Sequence, residues 1–202
     1  MKQTIFLIIV IGVVIIGFGS IYTINEAEQA IVTQFGKPVG GAVTEAGIHF
    51  KTPIIQTVLK FDKRILEWDG SANEIPTLDN KYIFIDAFAR WRISDALQFY
   101  KSAKNEMLAQ SILDDILDGA VRDEIANRTM VEIVRSSERV MVIQDVESSS
   151  VNVNNKDIED FSAKGARLEI VESILESVSK RLLELKMGIE ILDVQLKRIN
   201  YT

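Results

Sequence analysis

Residues 82–95 read Tyr-Ile-Phe-Ile-Asp-Ala-Phe-Ala-Arg-Trp-Arg-Ile-Ser-Asp, and residues 82–93 alternate between two faces. Every second residue is apolar: Ile83, Ile85, Ala87, Ala89, Trp91 and Ile93. A period of two places these side chains on one face of a strand, toward a core. The other face is mixed, because Phe84 and Phe88 alternate with charged residues. The stretch predicts a long strand whose second face is partly covered, by another layer or by lipid headgroups.

The residues that precede this strand also favour strands. The run from Ala30 to Phe35 is rich in β-forming side chains and ends at a Gly-Lys-Pro turn, while Val58–Phe61 alternates weakly after Pro53. We therefore predict a β-rich part over about residues 26–95.

After Ile93 the hydrophobic period changes to that of a helix. Asp95 can cap a short helix over residues 96–101, and Asn105 can cap a longer one. The longer helix has apolar residues at spacings of three and four: Leu108, Ile112, Leu113, Ile116, Leu117, Val121 and Ile125. The chain is therefore expected to turn from strands to helices at this point.

Two more helices are predicted further along. The string Thr129-Met-Val-Glu has the spacing of a capping box, which starts a short helix that ends near Val134. Residues 144–165 are rich in Ser, Asn and acids and predict a long polar loop. A last helix is expected over residues 167–186, with Gly188 placed to end it. Its apolar stripe is Leu168, Val171, Ile174, Leu175, Val178 and Leu182.

A strand from Ile189 to Ile199 closes the chain, with Leu192, Val194 and Leu196 on one face. Strands come first, helices follow, and a strand ends the chain. This order predicts an α+β fold rather than a doubly wound sheet. The helices and the closing strand together make a helical part over about residues 96–200.

The N-terminal stretch predicts a membrane anchor. No charge occurs from Gln3 to Asn25, and Ile5–Ile24 is an almost unbroken apolar run. About twenty helical residues span the roughly 30 Å hydrocarbon core of a bilayer. We therefore predict a transmembrane helix in residues 1–25 and a body over 26–200. A cleaved signal peptide is the alternative, although the run is long for one and no Ala-x-Ala site follows.

Charge gives a weak indication of topology and of partners. Lys2 precedes the apolar run and Glu26 follows it, so the positive-inside rule leaves the N-terminus in the cytoplasm and the body on the periplasmic or extracytoplasmic side. The chain has 23 basic and 29 acidic residues, and its lysines and arginines are scattered rather than grouped in a stripe. Nucleic acid is therefore not an expected partner.

The residue types available for catalysis and metal binding are few. With no cysteine and one histidine, a Cys–His pair and an ordinary structural zinc site are excluded, and a Ser–His–Asp site must use His49. We expect His49 to be hydrogen-bonded in a turn instead. A Ser–Lys dyad stays open, but no nucleophile-elbow or P-loop motif occurs. The prediction is no catalytic, no cofactor-binding and no metal residues.

Three groups of residues leave alternatives open. Asp157–Asp160 can offer oxygens to calcium, although EF-hand spacing is missing and a solvated loop explains it better. The acids of the long helix form either a solvated face or a patch for a basic neighbour: Asp114, Asp115, Asp118, Asp123 and Glu124. Four apolar residues of the β-rich part either enter the membrane interface or belong to the core: Phe50, Ile54, Ile55 and Trp68.

Several motifs resemble the stomatin/prohibitin (SPFH, band 7) family. They occur in order over about residues 25–200: Asn25–Val32, Phe35-Gly36-Lys37, Gly47–Pro53, Arg90–Asp95, Arg122–Ile125 and Gly188–Val194. Within the family, Trp91–Asp95 and Lys197–Asn200 are most similar to the HflC branch. The resemblance implies an SPFH/band 7 domain over residues 26–200, behind the anchor.

The resemblance also implies a function that is steric rather than enzymatic. Members of this branch pair with an HflK-like homologue in a ring or cage in the bacterial inner membrane, which regulates the membrane AAA+ protease FtsH. The expected partners are therefore the lipid bilayer, an HflK-like homologue and FtsH, in a homo- or hetero-oligomer. The alternatives are a generic stomatin-like scaffold that organises lipids or other membrane proteins, and a membrane-tethered hydrolase that uses His49.

The chain departs from the family pattern at two places. Ala46 stands where family members usually have Pro. A long helical region, which forms the wall of the cage, follows the position of Asn200 in the family, whereas this sequence ends at Thr202. We expect a form truncated before that region, in which contacts between neighbouring body domains can persist.

Overall fold

The computed structural model describes residues 17–135 and 166–201, together with Gln3. Among the described residues, two compact units are found. Unit 1 comprises residues 17–66, 91–109 and 182–190, and unit 2 comprises residues 67–90, 110–135, 166–181 and 191–201. The predicted loop over residues 144–165 lies outside the described residues.

Most of the predicted anchor also lies outside the described residues. Among the residues that are described, no helix is both long enough and apolar enough to cross a membrane. Residues 17–19 are helical, and a strand begins at Ile21. The prediction that one helix continues to Ile24 is therefore wrong for its last four residues, because a strand and a helix have the same apolar composition here.

Unit 1 is built largely from short antiparallel strands. These are β1 (Ile21–Ile24), β2 (Glu28–Gln34), β3 (Lys37–Pro38), β4 (Gly47–Phe50) and β5 (Gln56–Asp62). β1 pairs with β4, and β2 lies between β3 and β5. The predictions for β2 and β5 are confirmed. The strands β1, β3 and β4 were not predicted, since four residues or fewer carry little periodicity.

The turn between β2 and β3 has an unusual backbone. Phe35 and Gly36 are its two central residues, with φ of 49° and 77°. Positive φ at both positions is typical of a type I′ turn, which usually contains Asn-Gly. The Tyr100 hydroxyl donates to the Gly36 carbonyl at 3.1 Å. Phe35 itself is 85% exposed.

A short helix, α1 (Ala96–Ser102), completes the core of unit 1. The Asp95 carboxylate accepts from the backbone N–H groups of Leu97 and Gln98, which confirms the predicted cap. Buried Phe99 packs edge-on against Phe61, with ring centroids 5.3 Å apart. These contacts attach the helix to the β2–β5 pair.

Most of the remaining elements belong to unit 2. The strands are β6 (Leu66–Asp69), β7 (Asn73–Pro76), β8 (Tyr82–Ile93) and β9 (Ile189–Tyr201), and β8 pairs with each of the other three. The helices are α2 (Glu106–Ala126), α3 (Met130–Val134) and α4 (Arg167–Glu184). Strands followed by helices and a closing strand confirm the predicted α+β order of the body.

The long strand β8 has the predicted faces. All six apolar residues of one face are buried: Ile83, Ile85, Ala87, Ala89, Trp91 and Ile93. On the other face Phe84 and Phe88 are half-buried, and the Lys197 ammonium lies 5.2 Å from the centre of the Phe88 ring. A neighbouring cation, held by Asp69 at 2.5 Å, therefore covers part of Phe88.

The closing strand β9 differs from its prediction. Val194 and Leu196 are buried as expected, but so are Ile189 and Ile191, and Leu192 is half-buried. The buried positions thus change from odd to even numbers along one strand. Strict alternation does not allow this change, whereas one extra residue, as in a β-bulge, produces it.

The helix caps follow the sequence closely. The Asn105 side chain accepts from the backbone of Leu108 at 2.8 Å, and Thr129 and Glu132 form the predicted capping box of α3. The predicted stripe of α2 is largely confirmed, although Leu108 is 44% exposed. In α4, Ile174, Val178 and Leu182 are buried, whereas Leu168 is exposed and Ile170 is buried instead. Both wrong predictions, Leu108 and Leu168, lie in the first turn of a helix. Burial there depends on the residues that pack against the turn rather than on the helical period.

Gly188 has a different role from the predicted one. α4 ends at Glu184, and Gly188 lies beyond it with φ of 66°. A Cβ at this position would lie 2.3 Å from the Asp95 carbonyl oxygen and 2.7 Å from the Phe99 nitrogen. The Gly188 carbonyl in turn accepts from the N–H groups of Ser94 and Asp95. Glycine is required by this close backbone approach rather than by a helix cap.

Candidate functional site

Strands β1 and β4 of unit 1 expose an apolar face. Ile21 lies opposite Phe50, and Thr23 lies opposite Ile48. Paired residues share a face, and so do alternate residues along a strand, so these four side chains lie together. Ile21, Ile48 and Phe50 are 46%, 67% and 75% exposed. We call these four residues the β1–β4 apolar face.

The residues that flank this face are also apolar and exposed. Ile54, in the turn after β4, is 96% exposed, and Ile55 is 41% exposed. Phe18, just before β1, is 80% exposed. Scattered exposed apolar residues are common on proteins, but a contiguous group of this kind indicates a contact with a membrane or a protein.

The β1–β4 apolar face lies directly beside the N-terminal stretch. The Lys51 N–H donates to the Ser20 carbonyl at 2.7 Å. A Cβ on Gly19 would lie 3.3 Å from the Pro53 Cβ. The chain that leaves the apolar run of residues 5–16 therefore passes next to the turn that follows β4.

The sequence offered four apolar candidates for a membrane contact, and the exposed fraction of each side chain distinguishes between them. Phe50, Ile54 and Ile55 are exposed, as a membrane contact requires, whereas Trp68 is fully buried and belongs to the core of unit 2. The membrane alternative is therefore wrong for Trp68. Ile21 and Ile48 were not among the predicted candidates. Ile48 was recognisable by its alternation with Phe50, but Ile21 was hidden within the apolar run assigned to the anchor.

His49 lies in strand β4 and not in a turn as predicted. Its Nε2 lies 2.9 Å from the Glu45 carbonyl oxygen, so this nitrogen carries a proton and donates to it. The imidazole ring also packs against Tyr22, with centroids 5.6 Å apart. The expectation of a hydrogen-bonded histidine is confirmed, and these contacts bring neither a serine hydroxyl nor a carboxylate to the ring.

The described residues offer little for a metal ion. Within residues 17–135 and 166–201, no group of three or more His, Cys, Asp or Glu side chains is arranged to hold a metal. The calcium alternative rested on Asp157–Asp160, which lies outside the described residues.

The acidic face of α2 is partly used within unit 2. Asp114 Oδ1 accepts from the indole of Trp68, and Glu124 accepts from Arg128 and from Ser173, each at 3.1 Å. Burial and the nearby Asp114 carboxylate raise the pKa of Asp118, although Arg122 and a hydrogen bond with Asn73 oppose the shift. These contacts favour a structural role for the acids over a patch for a basic neighbour.

Comparison with known families agrees with the motifs of the sequence. The profile of the SPFH domain / Band 7 family matches residues 22–202. This chain belongs to the SPFH/band 7 family. The match begins within β1 and includes the strand and helix order described above, so the SPFH domain accounts for the β-rich part, the helices and β9 together.

Similar curated proteins place this SPFH chain in the HflC branch. Protein HflC of Treponema pallidum is 32% identical over 202 residues, which cover 96% of this chain and 61% of that protein. Protein HflC of Borreliella burgdorferi is 32% identical over 198 residues, covering 97% and 60%. The protein of Escherichia coli K12 named modulator of FtsH protease HflC is 27% identical over 215 residues, covering 99% and 64%. The chain thus spans less than two thirds of the length of these relatives.

Proposed function

We propose that this chain is a membrane-anchored scaffold subunit that modulates an FtsH-type membrane protease together with an HflK-like homologue. The subunits would form a ring or cage in the bacterial inner membrane, with the body on the periplasmic side. Modulation is steric, since an assembly around the protease limits which membrane proteins reach it. No side chain of this chain performs chemistry in this mechanism.

The main support is the family relationship. An SPFH domain fills the chain from residue 22 onward, and a relative that is similar over 99% of this chain is named for modulating FtsH. The exposed β1–β4 apolar face supports a position at the membrane, because such a face is unfavourable in water and lies beside the predicted anchor.

Affinity purification tests the proposal most directly. The full chain carries an affinity tag, is expressed in a bacterium with its own FtsH, and is solubilised gently from membranes. Everything retained is identified by mass spectrometry and sized. The matched control replaces residues 1–16 by an unrelated single-span anchor, so that β1 and the rest of the body remain but the native apolar run is exchanged.

The two outcomes lead to different conclusions. Recovery of FtsH and an HflK-like homologue in a large particle, with either anchor, supports the proposal and assigns recognition to the body. Recovery of the chain alone, or with unrelated membrane proteins, overturns the role at FtsH. The remaining interpretation is then a stomatin-like scaffold that organises lipids or other membrane proteins.

A further inference from the structure

We propose that copies of this chain join head to tail, with Phe35 of one copy seated in a groove on unit 1 of the next. Five residues of unit 1 line this groove: Gln98, Lys101, Ser102, Leu185 and Lys186. The inference rests on the ring or cage of the proposed function. It deepens that proposal by naming the two surfaces through which neighbouring copies meet.

The turn that carries Phe35 is held from both sides. Gln34 and Lys37 pair directly before and after it, which closes a loop of two residues. On the helix side, the Tyr100 hydroxyl of α1 donates to the Gly36 carbonyl at 3.1 Å. The backbone that positions Phe35 is therefore fixed before a partner arrives.

Phe35 is unfavourable in the free chain for two reasons. Its φ is 49°, in the left-handed region that a residue with a bulky side chain rarely adopts. Its ring is also 85% exposed, so most of its apolar surface lies in water. Strained backbone concentrates at sites that place a group for a contact, and aromatic rings are enriched among the residues that dominate interfaces. A partner that covers Phe35 offsets the second cost.

The groove lies where the C-terminal ends of two helices meet. Ser102, the last residue of α1, has its Oγ 3.2 Å from the carbonyl oxygen of Met187, which follows α4. The groove encloses about 430 Å³. Leu185 is 45% exposed and supplies apolar surface, and the aliphatic stems of Lys101 and Lys186 extend it.

The chemistry of the groove fits an aromatic occupant. Lys101 and Lys186 are both exposed, and each brings an ammonium group to an opening that also has an apolar wall. The face of an aromatic ring attracts a cation, whereas an aliphatic side chain gains nothing from one. The Phe35 ring can therefore pack on Leu185 and meet the lysines together.

The geometry of α1 makes the contact one between different copies. Gln98, Lys101 and Ser102 lie on one face of the helix, because they are three and four positions apart. At about 100° per residue, Tyr100 lies on the opposite side, and it holds the turn of Phe35 there. Phe35 thus faces away from its own groove. A contact between two different surfaces is head to tail, and it generates a ring when the rotation closes.

Cysteine crosslinking on full-length chains in membranes tests the contact. The sequence contains no cysteine, so one chain carries only Lys37→Cys, beside the turn, and a second chain with another tag carries only Gln98→Cys. Both are expressed together, and the membranes are treated with a short bis-maleimide. The control site is Ile65→Cys in place of Lys37→Cys. Ile65 is 55% exposed, and at ~3.3 Å per residue the seven residues of β5 separate it from the turn by roughly 20 Å.

The expected product is a dimer that carries both tags, whereas Ile65→Cys gives none above background and neither chain crosslinks to its own kind. One chain with both Lys37→Cys and Gln98→Cys should give a ladder of dimers, trimers and longer products. Absence of the two-tag dimer overturns the inference. So does a dimer formed by Lys37→Cys alone, or a product that joins position 37 to a different protein.

Substitutions at the two surfaces test the chemistry. Phe35→Ala in the Lys37→Cys chain should lower the dimer yield about tenfold, as expected for loss of a central aromatic anchor, whereas Ile65→Ala should not. Lys101→Gln together with Lys186→Gln in the Gln98→Cys chain should lower the yield about twofold to fivefold. Lys63→Gln, at an exposed lysine of unit 1 outside the groove, is the matched control. Unchanged yield in Phe35→Ala overturns the inference.

Affinity purification from the same cells separates this inference from the proposed function. If FtsH and an HflK-like homologue are recovered but the two-tag dimer is absent, only the contact at Phe35 is wrong. If the dimer forms but FtsH is not recovered, the contact stands and the role at FtsH is wrong. If neither is found, both are wrong.

Discussion

The indole nitrogen of Trp68 donates a hydrogen bond to Oδ1 of Asp114 at 2.5 Å, which ties strand β6 to helix α2 within unit 2. Trp68 is fully buried, whereas Asp114 is exposed, so the carboxylate lies between the indole N–H and the solvent. Asp114 therefore has a partner within unit 2, although the sequence allows a solvated helix face at this position.

Asp114→Ala is therefore expected to destabilise the chain. Loss of a hydrogen bond whose donor can then reach water costs about 0.5–1.5 kcal/mol. Relief of the repulsion between Asp114 and Asp118 returns only about 0.2–0.5 kcal/mol. Urea unfolding of the detergent-solubilised chain, followed by tryptophan fluorescence, measures the difference. The matched control is Asp115→Ala on the same exposed helix surface, which is expected to change the free energy of unfolding by less than about 0.5 kcal/mol. Equal effects of the two substitutions would contradict the assignment.

Asp79 is expected to make stability depend on acidity. Burial opposes ionisation, but hydrogen bonds from Thr77, Lys81 and the Met130 N–H outweigh it and lower the pKa of Asp79 to about 2. Because the pKa is lower in the folded state than the ordinary value of 3.8, this stabilisation is present above pH 4 and is lost as the pH falls toward 2. Its full size is roughly 2 kcal/mol. Asp79→Asn should lower the unfolding free energy at pH 7 and flatten its decline between pH 4 and 2; an unchanged pH profile would rule this out.

Two glycine substitutions are expected to have opposite signs. Gly188→Ala places a methyl group against the backbone of Asp95 at a positive φ, which should cost about 2–4 kcal/mol. Gly119→Ala lies in helix α2, where a Cβ meets nothing within 4 Å, and should stabilise the chain by about 0.5–1 kcal/mol. Thermal unfolding of both variants under one condition makes the comparison. A small loss of stability in Gly188→Ala would contradict this expectation, because it would show that the backbone segments at Gly188 and Asp95 can move apart.

Phe35→Asn is expected to stabilise the chain. The substitution puts Asn-Gly into the type I′ turn between β2 and β3, and asparagine tolerates positive φ better than phenylalanine by about 1 kcal/mol. Little burial is lost, since Phe35 is 85% exposed. Ile65→Asn serves as the control, because Ile65 is also exposed but does not have a positive φ. If Ile65→Asn raises the free energy of unfolding as much as Phe35→Asn does, the gain comes from replacing an exposed apolar side chain by a polar one and not from the turn geometry.

Much of the fold was predictable because it rests on local patterns. The alternation of β8 needs only its own residues, and the caps at Asp95 and at Thr129 need only a neighbour within three positions. The short strands were not predictable, because a four-residue strand such as β4 is defined by its partner β1 rather than by its own period. The change of parity in β9 likewise depends on pairing that lies outside its sequence.

The candidate surface was predictable only in part, for a related reason. Phe50 and Ile54 were recognisable as candidates, but apolar composition is the same for a buried and for a membrane-facing side chain, and only exposure separates them from Trp68. The backbone of Ile54 has φ of 70°, and this left-handed conformation has no signal in the sequence. A β-branched residue predicts an extended backbone, whereas two hydrogen bonds between Thr52 and Gln56 close a turn around Ile54.

The segments of unit 1 and unit 2 alternate along the chain, and this order has a consequence for folding during synthesis. Unit 1 includes residues 182–190 in addition to its N-terminal segments, so it is incomplete until synthesis has passed residue 190. Unit 2 includes residues 191–201 and has to wait as well. Contacts between residues this far apart along the chain are slow to form, and partly folded intermediates expose unpaired strand edges. Chaperones that hold the chain until β9 has been made are therefore expected to matter more for this protein than for one whose units are continuous in sequence.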